Sequence, residues 1–268
     1  MRDTFLKSVS ILDTETTNLV PEKAEIVELA GASYDGNKWN VTSSLFGAKN
    51  GIPPEASAKN HISNRMINGK PTFVEAIGAA KDIMNWEHAE YFVAHNSSYD
   101  QAVLSAGFIS ASCNKDVMIA QDSSRWICTH RLAKQLISYD FKDMQYNLSF
   151  LRYKLDLPVP DDLAAHRAAA DTLTCAVLFE FLVDYALVTK LVEDSPTIGS
   201  QIHSLCWKPF KVTAWPFGKN KGKSFKEIPT DYYIWALGNL ECLNETHKDF
   251  DKDLAENVRV ELESRLTN

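Results

Sequence analysis

Four carboxylates and one histidine stand out by type and order: Asp13 and Glu15 in ILDTET, Asp100 in AHNSSYD, and His166 and Asp171 in HRAAAD. Carboxylate oxygens are the ligands that hard divalent cations prefer, and histidine is the usual proton acceptor near neutral pH. Such a set can hold two Mg²⁺ or Mn²⁺ ions and activate a water molecule against a phosphodiester. No single fragment carries this reading, because short acidic patterns recur by chance. A lone DxE is equally a pair of solvated charges at a fraying strand end, and a lone loop histidine needs no function. The order of the fragments and the elements that hold them make the signal specific.

The first two acids end an apolar run, Val9, Ile11 and Leu12, whose β-branched content predicts a buried strand. Side chains at i and i+2 of a strand share a face, so Asp13 and Glu15 point the same way and Thr14 points away. Asp100 follows a second apolar segment, Tyr91–Ala94, that breaks at His95 and Asn96 and enters a helix with Ser97 or Ser98 as N-cap. An acid in that first turn lies where open α/β sheets place their sites, although the helix dipole alone also favours it. His166 and Asp171 are five residues apart, about 500° of helical rotation, so they cannot both be mid-helix and share a site. The prolines of LPVPDDLAA predict a loop, and AAADTLTCAVLFEFLVDYAL predicts an apolar helix. His166 then sits on a mobile pre-helical segment and Asp171 near the helix start.

Taken in order, ILDTET, AHNSSYD and HRAAAD resemble the three motifs of the DEDDh group of DnaQ-like 3′ to 5′ exonucleases. The similarity continues between them. IVELAGASYDG resembles the family's second strand, KNHISNRMINGKPTFVEA the segment before its substrate-contacting helix, and RWICTHRLAK its middle strand and helix. PFGKNKGKSFKEIPTDYYIWAL resembles the extra C-terminal segment of the exonuclease X subgroup, so the resemblance covers nearly the whole chain. SASCNKDVMIAQDSS looks longer than the corresponding connection in that subgroup, and reads as a polar surface loop with nothing in its residues to assign it a role.

A chain of 268 residues with 45% hydrophobic content can bury one sizeable core and a small appendage. Its five cysteines are odd in number and lack CxxC spacing, which indicates neither a disulfide framework nor a zinc site and fits a reducing cytoplasm. No leader-like or membrane-spanning run is evident, so the expectation is a soluble, cytoplasmic protein. A net charge of −7 runs against the basic footprint of most nucleic-acid proteins. Metal ions would neutralise the four acids, however, and positive charge is local. From Trp207 to Lys223 lie Lys208, Lys211, Lys219, Lys221 and Lys223 without an acid, interleaved with Phe210, Trp215 and Phe217. Lysines among aromatics suit a single strand or a duplex end, and equally describe an exposed loop over a small apolar cluster.

Strands are predicted near 8–13, 25–34 and 38–46, joined closely enough to form an antiparallel meander. Helices near 54–61, 71–86, 98–106, 130–137, 147–154 and 168–190 then alternate with strands. The result is an α/β fold, a mixed sheet flanked by helices, antiparallel in its first three strands and parallel after. That order resembles the ribonuclease H-like fold. The expected division is an exonuclease domain over 1–192, a linker over 193–206, from the Pro, Gly and Ser of EDSPTIGSQIHS, and a small C-terminal domain over 207–268 ending in the amphipathic helix DKDLAENVRVELESRL.

These residues and the resemblance together imply a mechanism. Asp13, Glu15, Asp100 and Asp171 hold two Mg²⁺ or Mn²⁺ ions, and His166 takes a proton from the attacking water, releasing 5′-mononucleotides. The resemblance further implies that Thr14, Thr16 and Thr17 face the terminal nucleotide and that Leu19 wedges against the last base. His61 and Asn96 are further candidates for the sugar or base, and Lys219, Lys221 and Lys223 for the strand. The implied partner is nucleic acid, DNA ahead of RNA, with a protein partner or a homodimer left open. Two other readings remain at this point: an RNA-trimming exonuclease of the ribonuclease T type, and a proofreading or scaffold subunit of a polymerase or repair complex.

Overall fold

The computed structural model describes residues 1–137, 145–160, 167–247 and 250–266. The chain divides into two compact units, Met1–Trp207 and Lys208–Asn268. The first is built on five strands: β1 (Val9–Thr16), β2 (Ile26–Tyr34), β3 (Trp39–Leu45), β4 (Tyr91–Ala94) and β5 (Trp126–Cys128), in the order β3-β2-β1-β4-β5. The pairs β3/β2 and β2/β1 are antiparallel, and β1/β4 and β4/β5 are parallel. Around them run α1 (Arg2–Lys7), α2 (Pro54–Asn60), α3 (Asn64–Ile67), α4 (Ile77–Ile83), α5 (Ser97–Ser110), α6 (Asn114–Gln121), α7 (Thr129–Ile137), α8 (Leu148–Lys154), α9 (Ala168–Val188) and α10 (Ile198–Cys206). This is a mixed sheet of the ribonuclease H-like kind, antiparallel first and parallel after.

Strand parity divides the core in two. Val9 and Ile11 of β1, Ala32 of β2 and Val93 of β4 pack with α7, α9 and α10 on one face. Leu12, Leu29, Phe92 and Ala94 pack with α4, α5 and α6 on the other. Both faces are covered, so the central strands read as near-continuous apolar runs. The long helix α9 buries Ala168, Thr172, Cys175, Phe179, Leu182 and Ala186 along its length, in keeping with an apolar helix laid over a sheet.

Several elements differ from expectation. The 71–86 region begins as a turn: Thr72 bridges Gly47, and the Glu75 carboxylate accepts from the Thr72 amide and hydroxyl, so helix α4 starts only at Ile77. The polar stretch after α5 is a helix, α6, and not a surface loop. Its Asp116 is buried, accepting from Trp86 Nε1 at 2.9 Å and pairing with Lys81 at 3.2 Å. The expected linker contains α10, whose Ile198, Ile202 and Cys206 are buried in the first unit. There Pro196 and Gly199 punctuate the sequence, but apolar spacing on one helix face prevails. The N-terminal helix α1 was not foreseen, and Arg2 from it reaches Glu180 and Asp184 on α9.

The second unit has its own core of Trp215, Phe225, Tyr233, Leu254 and Val258, gathered by α11 (Thr230–Asn239) and α12 (Lys252–Leu266). Among the described residues no helix is long and apolar enough to cross a membrane, and all five cysteines are free thiols.

Candidate active site

Asp13 and Glu15 continue the odd-numbered side of β1, which below them carries Val9 and Ile11 and faces α9. Asp171 lies in the first turn of α9, on the same side. One carboxylate oxygen from each of Asp13, Glu15 and Asp171 lies within 4.8 Å of the others. Asp100 comes from α5, on the opposite side of the sheet. The β1/β4 ladder stops at Ile11 and Val93, and beyond it Asp100 Oδ1 accepts the Thr14 amide at 3.1 Å and the Thr14 hydroxyl at 2.7 Å. Thr14 is thus the even-numbered neighbour that turns to the α5 side and fixes the fourth acid at the end of the sheet.

These acids destabilise one another's charges. Burial, and then the charges of Asp100, Glu15 and Asp171, hold Asp13 well above the usual carboxylate range. Burial, with Asp171 and Glu28, pushes Glu15 up to about 8, while Lys59 opposes the shift. Burial pushes Asp100 up to about 7 against the hydrogen bonds from Thr14. A group of oxygens this close fits a hard divalent ion, whose charge relieves the repulsion.

Glu28 is opposite Glu15 in the β1/β2 register and is buried. Its carboxylate accepts from Arg167 Nη2 at 2.8 Å, Arg167 Nε at 3.0 Å and the Ala168 amide at 3.1 Å. Its one signal in the sequence is a charged side chain inside the apolar strand IVELAGASY, too little to mark it as functional. His166, immediately before Arg167, lies outside the described residues.

Beside the acids opens a cleft of about 590 Å³, bounded by residues 13–19, by α2 and by the β4–α5 turn. That volume falls in the range of roughly 300–1,000 Å³ usual for small-ligand sites. Leu19 lines it and is 77% exposed. Asn96 also lines it, as the left-handed N-cap of α5 (φ 69°); the helix begins at Ser97, so neither Ser97 nor Ser98 caps it. The threonine hydroxyls are used within the protein. Thr16 bonds Tyr99 and the Asn18 carbonyl, and Thr17 accepts the Glu25 amide at 3.0 Å. His61 ends α2 in a left-handed conformation and does not line the cleft; Lys59 and Asn60 do. His95 lines the cleft with both ring nitrogens engaged, Nε2 donating to the Tyr146 carbonyl and Nδ1 accepting from Thr129, each at 2.9 Å. Burial lowers it to about 4, so it is neutral. Lys219, Lys221 and Lys223 belong to the second unit and are exposed there.

Residues 10–179 match the family model RNase_T, described as exonuclease. Exodeoxyribonuclease 10 of Escherichia coli strain K12 is 28% identical over 240 residues, covering 87% of this chain and 92% of that protein. DNA polymerase III subunit epsilon of Treponema pallidum is 31% identical over 173 residues, covering 64% of this chain and 74% of that protein. Among solved structures, exonuclease X in complex with 5′ overhanging duplex DNA superposes with a TM-score of 0.50 at 24% identity, over 74% of this chain and 99% of that one. Exonuclease I of E. coli in complex with a dT13 oligonucleotide gives 0.55 at 14% identity, over 68% and 43%. At these identities the two structures speak for the fold alone.

Proposed function

Since the chain belongs to the RNase_T exonuclease family and so acts on nucleic acid as an exonuclease, we propose that it removes 5′-mononucleotides from the 3′ ends of DNA, single-stranded and duplex. The observation that carries this reading is the convergence of Asp13, Glu15 and Asp171, with Asp100 tied to the same strand through Thr14. Its DNA preference is supported by the relative named exodeoxyribonuclease 10 and by the polymerase subunit.

Asp13, Glu15, Asp100 and Asp171 would hold two Mg²⁺ or Mn²⁺ ions. When bound, such ions supply Lewis-acid polarisation of the phosphate and charge stabilisation of the leaving 3′ oxygen. Thr14 keeps Asp100 oriented by taking up one of its oxygens. His166 accepts the proton of the attacking water as the general base. The cleft beside the acids receives the terminal nucleotide. There the residue 14–19 backbone and Asn96 bound the nucleotide, Leu19 presses on the last base, and Lys59 contributes the local cation that a phosphate requires.

The test is to incubate the purified chain and Mg²⁺ with end-labelled single-stranded DNA, duplex DNA and RNA. Stepwise shortening of both DNAs from the 3′ end, faster than that of RNA, supports the proposal. Preferred degradation of RNA would replace it with an RNA-trimming activity. The similarity to polymerase III subunit epsilon favours a second reading, a proofreading subunit. Capture of a polymerase by a chain that degrades none of the three substrates would support a scaffold role instead.

A further inference from the structure

The second unit concentrates its positive charge in a built loop. From Lys208 to Lys226 there are six lysines and no acid, whereas the acids of this unit all follow. The loop is not slack chain. Ala214 bridges Ser224, the Trp215 amide donates to the Lys223 carbonyl at 2.9 Å, and the Gly222 amide returns to the Trp215 carbonyl at 2.9 Å. Gly218 and Gly222 take the left-handed conformations that close it, at φ 62° and 83°. Trp215 and Asn220 are buried beneath, and Asn220 Oδ1 accepts from Lys223 Nζ at 3.1 Å. A rigid hairpin therefore carries Lys219, Lys221 and Lys223 outward, all three exposed.

Helix α11 brings aromatic surface beside this loop. Lys219 Nζ sits 5.4 Å from the centre of the Tyr232 ring, and the ring of Trp235, three residues along the helix, lies 5.4 Å from the same ring. Trp235 is 48% exposed and the adjoining Ile234 62%. A half-exposed indole thus lies against the ring over which the Lys219 ammonium sits. The sequence shows the lysines, but only the fold puts Tyr232 under Lys219 and Trp235 beside Tyr232.

We propose that this face is a docking surface for single-stranded nucleic acid, with a base stacked on Trp235 beside Tyr232 and phosphates paired with Lys219, Lys221 and Lys223. An acidic peptide would satisfy the lysines and leave the indole face unused. A nucleotide strand repeats both a flat π-face and an anion at every step, which is the chemistry present here. The choice of partner rests on the nuclease reading of the first unit.

The experiment uses the full chain in EDTA, which prevents cutting, and the fluorescence anisotropy of a 5′-labelled oligothymidylate at several salt concentrations. Trp235→Ala should weaken binding about tenfold without changing the salt dependence, and Trp235→Phe should recover most of it. Replacing the three lysines by glutamine should lower the slope of log affinity against log salt by about 2. Thermal melts equal to wild type establish that the variants fold. Binding left unchanged by Trp235→Ala overturns the proposal, since the remaining attraction would be charge alone. Cleavage of the same oligonucleotide by the wild-type chain with Mg²⁺ is scored separately. Its absence sinks the nuclease reading while the binding result still decides the surface.

Discussion

Glu28 holds Arg167 by a two-pronged ion pair, at 2.8 and 3.0 Å, and with the second of those oxygens also accepts the amide of Ala168, the first residue of α9. Because Glu28 lies across the ladder from Glu15, one pair of strands sets both a cluster carboxylate and the start of the helix that carries Asp171. The same contact fixes the residue that follows His166 in the chain.

Removing one partner of this pair should cost more than altering it. Arg167→Ala leaves a carboxylate 2% exposed without its cation, a loss on the order of 3–5 kcal/mol in urea unfolding. Glu28→Gln keeps an acceptor for the Ala168 amide and should unfold less easily than Arg167→Ala, yet lower kcat with little change in KM as the start of α9 shifts. Arg167→Lys, which keeps the charge and loses the fork, should fall between wild type and Arg167→Ala. A folded Glu28→Gln protein with wild-type kcat would remove the positioning role.

The acid cluster makes the metal-free protein sensitive to pH. Glu15 rises from 4.5 to about 8 on folding, and Asp13 and Asp100 shift in the same direction. Between those values the folded state binds more protons than the unfolded one. Its stability is therefore full below the unfolded pKa and is lost as pH rises through about 8. Thermal melts in EDTA should show Tm falling from about pH 5 to 8, and Mn²⁺ should restore it most at the alkaline end, where carboxylates need not lose protons to bind it. A Tm that rises over this range in EDTA would contradict the shifts.

His166→Ala should reduce the rate roughly 10²-fold or more while the protein still binds substrate. In the wild type, activity should climb through about pH 6.5 as the imidazole becomes neutral. Single-turnover rates across pH measure both. An unchanged rate in the variant takes His166 out of the mechanism.

Leu19 is 77% exposed at the edge of the cleft, so trimming it should not unfold the protein. If it wedges against the last base, Leu19→Ala should slow degradation of blunt duplex DNA more than of single strands. Equal slowing of both substrates would leave it an ordinary cleft residue.

How far the residues announced this arrangement depends on the range of the interaction. The period of two in β1 was readable from Val9 and Ile11, and it places Asp13 and Glu15 toward α9. The same period sends Thr14 to the other side, where it meets Asp100, but a bond between residues 86 apart has no local signature. Glu28 was hidden likewise, because its partner is 139 residues away. Asp116 made a helix look like a polar loop, since its burial depends on Trp86 and Lys81. Local pattern displayed the acids, and long-range pairing decided how they are held.

The most direct measurement follows 5′-labelled single-stranded DNA with the wild-type chain and with Asp13→Asn, each in Mg²⁺ and in EDTA, at single-nucleotide resolution with chromatography of the products. Metal-dependent hydrolysis at the acid cluster requires stepwise shortening from the 3′ end and 5′-mononucleotide products in Mg²⁺ with the wild type, and background levels in the other three reactions. Shortening that persists in EDTA, or that Asp13→Asn leaves undiminished, would show that the cluster does not carry the reaction.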